Sequence, residues 1–191
     1  MKKIALLSLV ASTLMMAGGD IEPMEPMVNT PNVSSSAKNN FGIPTGFALL
    51  GGAMKLDEKD TEWTEMYGAE LSFECLFSSA VRSQLQATYT KDDNYKMYQL
   101  SANPHYMIGL GESTQFGIGP SFGAMMVESI ADADKTDTIF TYGLGASLRT
   151  DLTENLFAGV EARYELTTEA KTLNVDNFNN VKVFAKIGYQ F

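Results

Sequence analysis

The last eleven residues constrain the fold more than any other stretch. Val181, Val183, Ala185, Ile187, Tyr189 and Phe191 share one parity, and Lys182, Phe184, Lys186, Gly188 and Gln190 share the other. A period of two puts each set on one face of an extended strand, whereas a helical period of about 3.6 would scatter both around the circumference. The same scheme runs through Val81 to Thr90, with Val81, Leu85, Ala87 and Tyr89 against Arg82, Gln84, Gln86, Thr88 and Thr90. It recurs in Tyr67 to Cys75, where Tyr67, Ala69, Leu71, Phe73 and Cys75 alternate with Gly68, Glu70, Ser72 and Glu74. Extended through the chain, the pattern predicts eight strands at 41-55, 63-76, 81-91, 95-108, 115-127, 138-150, 156-167 and 181-191. These are long for a soluble protein, whose strands average about five or six residues, and match the nine to eleven tilted residues that cross a bilayer core.

Composition removes several function classes. The chain has 191 residues, with 14 Lys and Arg against 23 Asp and Glu, one Cys and one His. An acidic chain lacks the basic footprint that displaces counterions from nucleic-acid phosphate, and one Cys with one His cannot build a soft-metal site. No cofactor and no metal are expected. Cys75 alone cannot close an internal disulfide.

The first residues read as a targeting segment. Lys2 and Lys3 precede an apolar run from Ile4 to Ala17, the charge-then-apolar order of a secretory signal peptide and too short for a stop-transfer helix. Residues 1-17 are therefore expected to be removed near Ala17, with Gly18 as the mature start. With no Cys after the run, a lipid anchor is not expected. In residues 18-40, Glu22-Pro23-Met24 repeats as Glu25-Pro26-Met27 before Thr30-Pro31-Asn32 and Ser34-Ser35-Ser36. That composition predicts an extended acidic periplasmic leader, with the barrel occupying 41-191.

Three features decide which face of the strands turns outward. The polar parity of the fifth and sixth strands carries Gly117, Gly119, Ser121, Gly123, Gly143, Gly145 and Ser147, small residues suited to a crowded lumen. Phe41, Tyr67, Tyr89, Tyr106, Phe116, Phe140, Tyr164 and Tyr189 stand near strand ends on the apolar parity, where an interfacial girdle would place them. Export supplies the third. Short connections at 77-80, 109-114 and 151-155 alternate with generally longer polar ones at 56-62, 92-94, 128-137 and 168-180. The expected architecture is an all-β, eight-stranded antiparallel up-and-down transmembrane β-barrel, apolar outside and polar inside, with its short turns on the periplasmic side.

At this point the chain resembles the small outer-membrane β-barrels of Gram-negative bacteria, the OmpA/OmpX type. Its final strand, Val183 to Phe191, matches that family's C-terminal assembly signal, with Ile187, Tyr189 and Phe191 as the alternate apolar positions. The resemblance implies an outer-membrane location, lipid contact and recognition by the barrel-assembly machinery, and it covers residues 41-191. The family spans structural proteins, adhesins, small channels and a few lipid-modifying enzymes, so it implies no single activity. Because the chain stops at Phe191, the separate peptidoglycan-binding domain of longer relatives is not expected.

Charges facing lipid would cost several kcal/mol, so Glu70, Glu74, Arg82, His105, Arg149, Glu161, Arg163, Glu165, Lys182 and Lys186 are expected in the lumen. Hairpin register sets Glu74 opposite Arg82, and same-face matching sets Glu165 opposite Lys182 and Glu161 opposite Lys186. Such charges read as a mutually neutralising plug or as a polar ion path, and an interior just wide enough for its own side chains favours the plug. His105 is the one candidate for acid-base work, with Ser101 or Ser121 as nucleophile, although neither serine lies in a nucleophile elbow. The acids of 57-60 and 132-137 read as a solvated loop surface or, alternatively, a hard-cation site. The expectation is a monomeric, noncatalytic outer-membrane barrel serving envelope structure or surface contact, with a narrow porin as the rival and a lipid-modifying enzyme third.

Overall fold

A computed structural model describes residues 44-57, 61-75, 78-132 and 135-191. The expected signal peptide and leader, Phe41, and parts of the acidic loops at 58-60 and 133-134 lie outside these residues. Eight antiparallel strands close on themselves: β1 Gly46–Leu56, β2 Thr64–Cys75, β3 Ser78–Lys91, β4 Tyr95–Gly109, β5 Thr114–Ser129, β6 Thr136–Asp151, β7 Leu156–Thr167 and β8 Asn180–Gln190. Each pairs with its chain neighbours, and β1 pairs with β8, from Gly46 opposite Gln190 to Leu56 opposite Asn180. Closure leaves no sheet edge unpaired. The strand count agrees with the sequence, but β1 starts at Gly46 rather than 41 and Phe191 lies just beyond β8, its N–H donating to the Thr45 carbonyl at 3.0 Å.

Alternation sets the two surfaces. Leu49, Leu100, Ile118, Phe122, Leu144 and Ile187 are exposed on the outside, together with Tyr67, Tyr106, Phe140, Tyr164 and Tyr189 of the expected girdle. Inward positions at mid-height are polar and buried, the inverse of a soluble barrel. The interior is not polar throughout. Towards the long-loop end Met54, Leu56, Met97, Met125, Val127 and Ile139 point inward and pack with Ala170 and Phe178 of the β7–β8 connection. The polar interior expected from alternation therefore occupies the middle of the lumen, and the upper part is apolar. There the strands are apolar on both parities, as in Gly123-Ala124-Met125-Met126-Val127, and a loop supplies the other half of the packing.

That loop, residues 168-179, is a folded lid. Ala170 and Val175 exchange backbone hydrogen bonds around a turn in which Asn174 takes φ 54°, a left-handed conformation that Asn tolerates. The Thr172 N–H donates to Asp137 at 2.7 Å and the Phe178 N–H to Thr167 Oγ1 at 2.7 Å. The Phe178 ring meets Tyr95 edge-on, 5.1 Å between centroids. The opposite end has a floor: Phe157 is buried beneath the Arg149 guanidinium, 3.6 Å from the ring centroid. Gly188 makes room for it, since an added Cβ would lie 2.4 Å from the Phe157 ring.

Candidate functional site

The middle of the lumen holds six charges that alternate in sign along one connected chain. Lys186 Nζ donates to Glu70 at 2.9 Å and to Glu161 at 3.0 Å. Glu161 is also ion-paired with Arg163, which donates in turn to Glu165 at 3.3 Å. Lys182 completes the series, 2.6 Å from Glu165. Read from Glu70 to Lys182 the order is acid, base, acid, base, acid, base, so the formal charges cancel. All six residues are at most 5% exposed, where an unmatched charge would be costly and a matched one survives only with its remaining hydrogen bonds satisfied.

Neutral side chains satisfy them. Gln86 donates to Glu70 at 2.9 Å and to Glu161 at 3.3 Å, while its carbonyl accepts from Arg163 at 2.8 Å. Gln99 donates to Glu165 and to Thr141, each at 2.9 Å, and accepts from Lys182. Ser121 donates to Glu165 and Ser72 to Glu70, at 2.9 and 3.0 Å. None of these four was singled out for the network from sequence. Their signal was parity: each stands on the same inward face as a charged residue or the lumen glycines.

The remaining charged candidates divide. Glu74 is a Cα partner of Arg82, as the hairpin predicts, but its side chain is exposed at the short-turn rim and stands outside the sealed chain. Arg149 belongs to the floor, donating to Asp151 at 3.0 Å and to Gln190. The β7–β8 register differs from expectation by two residues: Glu165 faces Asn180, Arg163 faces Lys182, Glu161 faces Phe184 and Gly159 faces Lys186. The expected pairs still form, diagonally, because a lysine side chain spans the offset.

His105 and its flank hold the other polar group. The ring is fully buried and its Nδ1 is hydrogen-bonded to Ser147 Oγ at 2.9 Å. Sequence had offered Ser101 or Ser121, but Ser101 accepts from Asn103 and Arg163, and Ser121 serves Glu165. The true partner sits on β6, not on an adjacent strand. It is reached across Gly117, where an added Cβ would lie 2.6 Å from Ser147 Oγ and 3.3 Å from His105 Cβ. A Ser–His contact is the start of a nucleophile pair, yet this one has no orienting carboxylate, since Nε2 lacks a hydrogen-bond partner among the described residues.

Among the described residues no cluster of His, Cys, Asp or Glu has metal-holding geometry. Asp137 caps Thr138 and Thr172, and Asp132 is 3.4 Å from Lys135. At the C-terminus, Ile187, Tyr189 and Phe191 all face outward and are exposed, with Tyr189 and Phe191 ring centroids 6.0 Å apart.

No protein-family model and no curated protein sequence matches the chain. Solved structures do. Neisserial surface protein A matches with a TM-score of 0.63 at 13% identity, over 76% of this chain and 95% of that one. The N-terminal β-barrel domain of Pseudomonas aeruginosa OprF matches at 0.55 and 14%, over 78% and 98%. The chain has the fold of the small outer-membrane β-barrels. That architecture also carries catalysis, since the outer membrane enzyme PagL matches at 0.51 and 14%, over 76% and 99%.

Proposed function

We propose that this protein is a noncatalytic outer-membrane barrel that contributes to envelope structure or surface contact. One observation carries the reading: buried side chains cross the lumen at three levels, the Arg149–Phe157 floor, the six-charge chain and the Phe178 lid. Solute flow needs a continuous polar path, and the apolar mouth and cancelled charges supply none. Catalysis on a lipid needs its nucleophile to reach the bilayer, and Ser147 and His105 are sealed inside at 4% and 0% exposure. On this reading the apolar exterior contacts outer-membrane lipid, the chain is exported with cleavage near Ala17, and Ile187, Tyr189 and Phe191 are read by the barrel-assembly machinery. The barrel acts as a monomer.

The test is single-channel recording of purified barrel in planar bilayers, paired with cell fractionation. The expected result is recovery in the outer membrane, faster gel migration unboiled than boiled, and little current. A large, steady conductance would establish the narrow-porin alternative instead. Mass analysis of outer-membrane lipids incubated with the barrel should show them unchanged, and a released acyl chain would establish an enzyme.

A further inference from the structure

The outer wall carries a trough on one side. Across β2 to β5 the register aligns Tyr67, Tyr89, Tyr98 and Met126 as one outward rung, and Ala69, Ala87, Leu100 and Ala124 as the next. The three alanines lower the wall on either side of Leu100, beneath the aromatic rung, and leave a groove of about 640 Å³. Tyr89 and Tyr98 pack with ring centroids 4.9 Å apart and form its upper edge. On the outer-membrane reading, on which this inference rests, the face meets lipid, and an acyl chain laid in the trough makes the dispersion contacts that a gap would forfeit.

The residues above the trough select the lipid. Two positions beyond the tyrosines, about 7 Å along the strands, Lys91 stands opposite Lys96. Glu128 holds Lys96 at 2.7 Å, whereas the exposed Lys91 has neither a hydrogen bond nor an ion pair among the described residues. Next comes the β3–β4 turn, where one carboxylate oxygen of Asp92 accepts from the Asn94 and Tyr95 N–H groups at 2.8 and 2.6 Å. Asp93 is exposed and has no partner among the described residues. Glu65 accepts from the Tyr67 hydroxyl at 2.7 Å. From the membrane outward the order is therefore apolar trough, phenols, free cation, free carboxylate. A phosphoethanolamine lipid carries the complementary order: acyl chain, ester, phosphate, primary ammonium. A headgroup that is only anionic fits worse, because Glu65, Asp92, Asp93 and Glu128 outnumber Lys91 and Lys96.

We propose that this wall binds one phosphoethanolamine lipid, with an acyl chain in the Ala69–Ala87–Ala124 trough, its phosphate on Lys91 and its ammonium on Asp93. The trough supplies the contact area and the hairpin tip supplies the choice of headgroup.

The one tryptophan, Trp63, lies two residues before Glu65, half exposed, and serves as the reporter. The purified full chain is held in maltoside micelles, which contain no phosphate, and titrated with brominated-chain lipids bearing ethanolamine, choline or glycerol headgroups. The ethanolamine lipid should quench Trp63 saturably at one per barrel, about three- to fivefold more tightly than the other two, the gain of one exposed ion pair. Lys91→Gln should weaken all three lipids by a similar factor. Asp93→Asn should erase the ethanolamine preference and leave the choline lipid unchanged. Ala87→Leu, which fills the trough, should abolish saturable quenching while the heat-dependent gel shift shows the barrel still folded. Quenching blind to headgroup, quenching that never saturates, or an Ala87→Leu barrel that binds as the wild type does would each overturn the proposal. So would a dimer that Ala87→Leu dissolves, which would assign the trough to a second copy. A chain that stays in solution without detergent and is quenched by no brominated lipid would instead overturn the outer-membrane reading itself.

Discussion

The middle and the mouth of the lumen are both sealed, by opposite chemistry. In the middle, Glu161 touches Lys186 and Arg163, and Arg163 touches Glu165, so every charge except the two at the ends, Glu70 and Lys182, compensates two neighbours. At the mouth, the side chains of Phe178, Met54, Met97 and Met125 meet one another through apolar contact, with no charge among them. Directional contacts make the middle a unit in which one loss exposes a partner, whereas apolar packing gives up only the contacts removed. The difference teaches that filling a barrel and fixing its register are separate tasks, and this chain gives the first to a loop and the second to the wall.

The sharpest way to break that contrast is Arg163→Met. It leaves two carboxylates short of a cation in a site 3% exposed and should destabilise the barrel by about 3–5 kcal/mol in urea unfolding from lipid vesicles. A cost under about 1 kcal/mol would mean that water already compensates the middle. Phe178→Ala should come next at about 3 kcal/mol, and its effect should add to that of Lys186→Met because the two side chains share no contact. Within the middle, additivity should fail: Glu161→Gln with Lys186→Met should be milder than the sum of the singles by about 0.5–3 kcal/mol, with either single conducting more than the wild type. Strict additivity there would remove the distinction between the two regions.

How much of this the sequence reveals follows the same division. The strand count, the inward set Glu70, Glu161, Arg163, Glu165, Lys182 and Lys186, and the Glu74–Arg82 pairing all follow from parity, which is local. The mouth is hidden because Met125, Met126 and Val127 are apolar on both parities, so alternation carries no information about which side is filled. Leu173, Val175 and Phe178 are spaced among polar residues and read as part of a connection; their role depends on what lies beneath. Ser147 escaped as the partner of His105 because β4 and β6 are not neighbours, and only the missing side chain of Gly117 brings them within reach.

Two smaller effects sharpen the comparison from outside the lumen. Lys96 and Glu128 form a 2.7 Å pair with side chains 32% and 23% exposed, so Lys96→Met should cost about 0.2–1 kcal/mol and less at high salt, unlike the sealed six. Deleting Phe191, 71% exposed, should shift the stability of refolded barrel by no more than about 0.5 kcal/mol while sharply lowering outer-membrane yield in cells. Equal yield would remove the assembly role assigned to that residue.

The pairing of β1 with β8 has a kinetic consequence. Every other interface joins neighbouring hairpin strands, but Gly46 meets Gln190 across almost the whole described chain, and the entropy of that ring closure can be recovered only when the last strand arrives. Folding should therefore zip hairpin by hairpin and end on a single stitch. A ribosome that stalls before residue 180 leaves a ribbon with two bare edges, competent to pair with any other ribbon. For this protein a truncated product is a nucleus for aggregation, and the final strand is what makes the molecule finite.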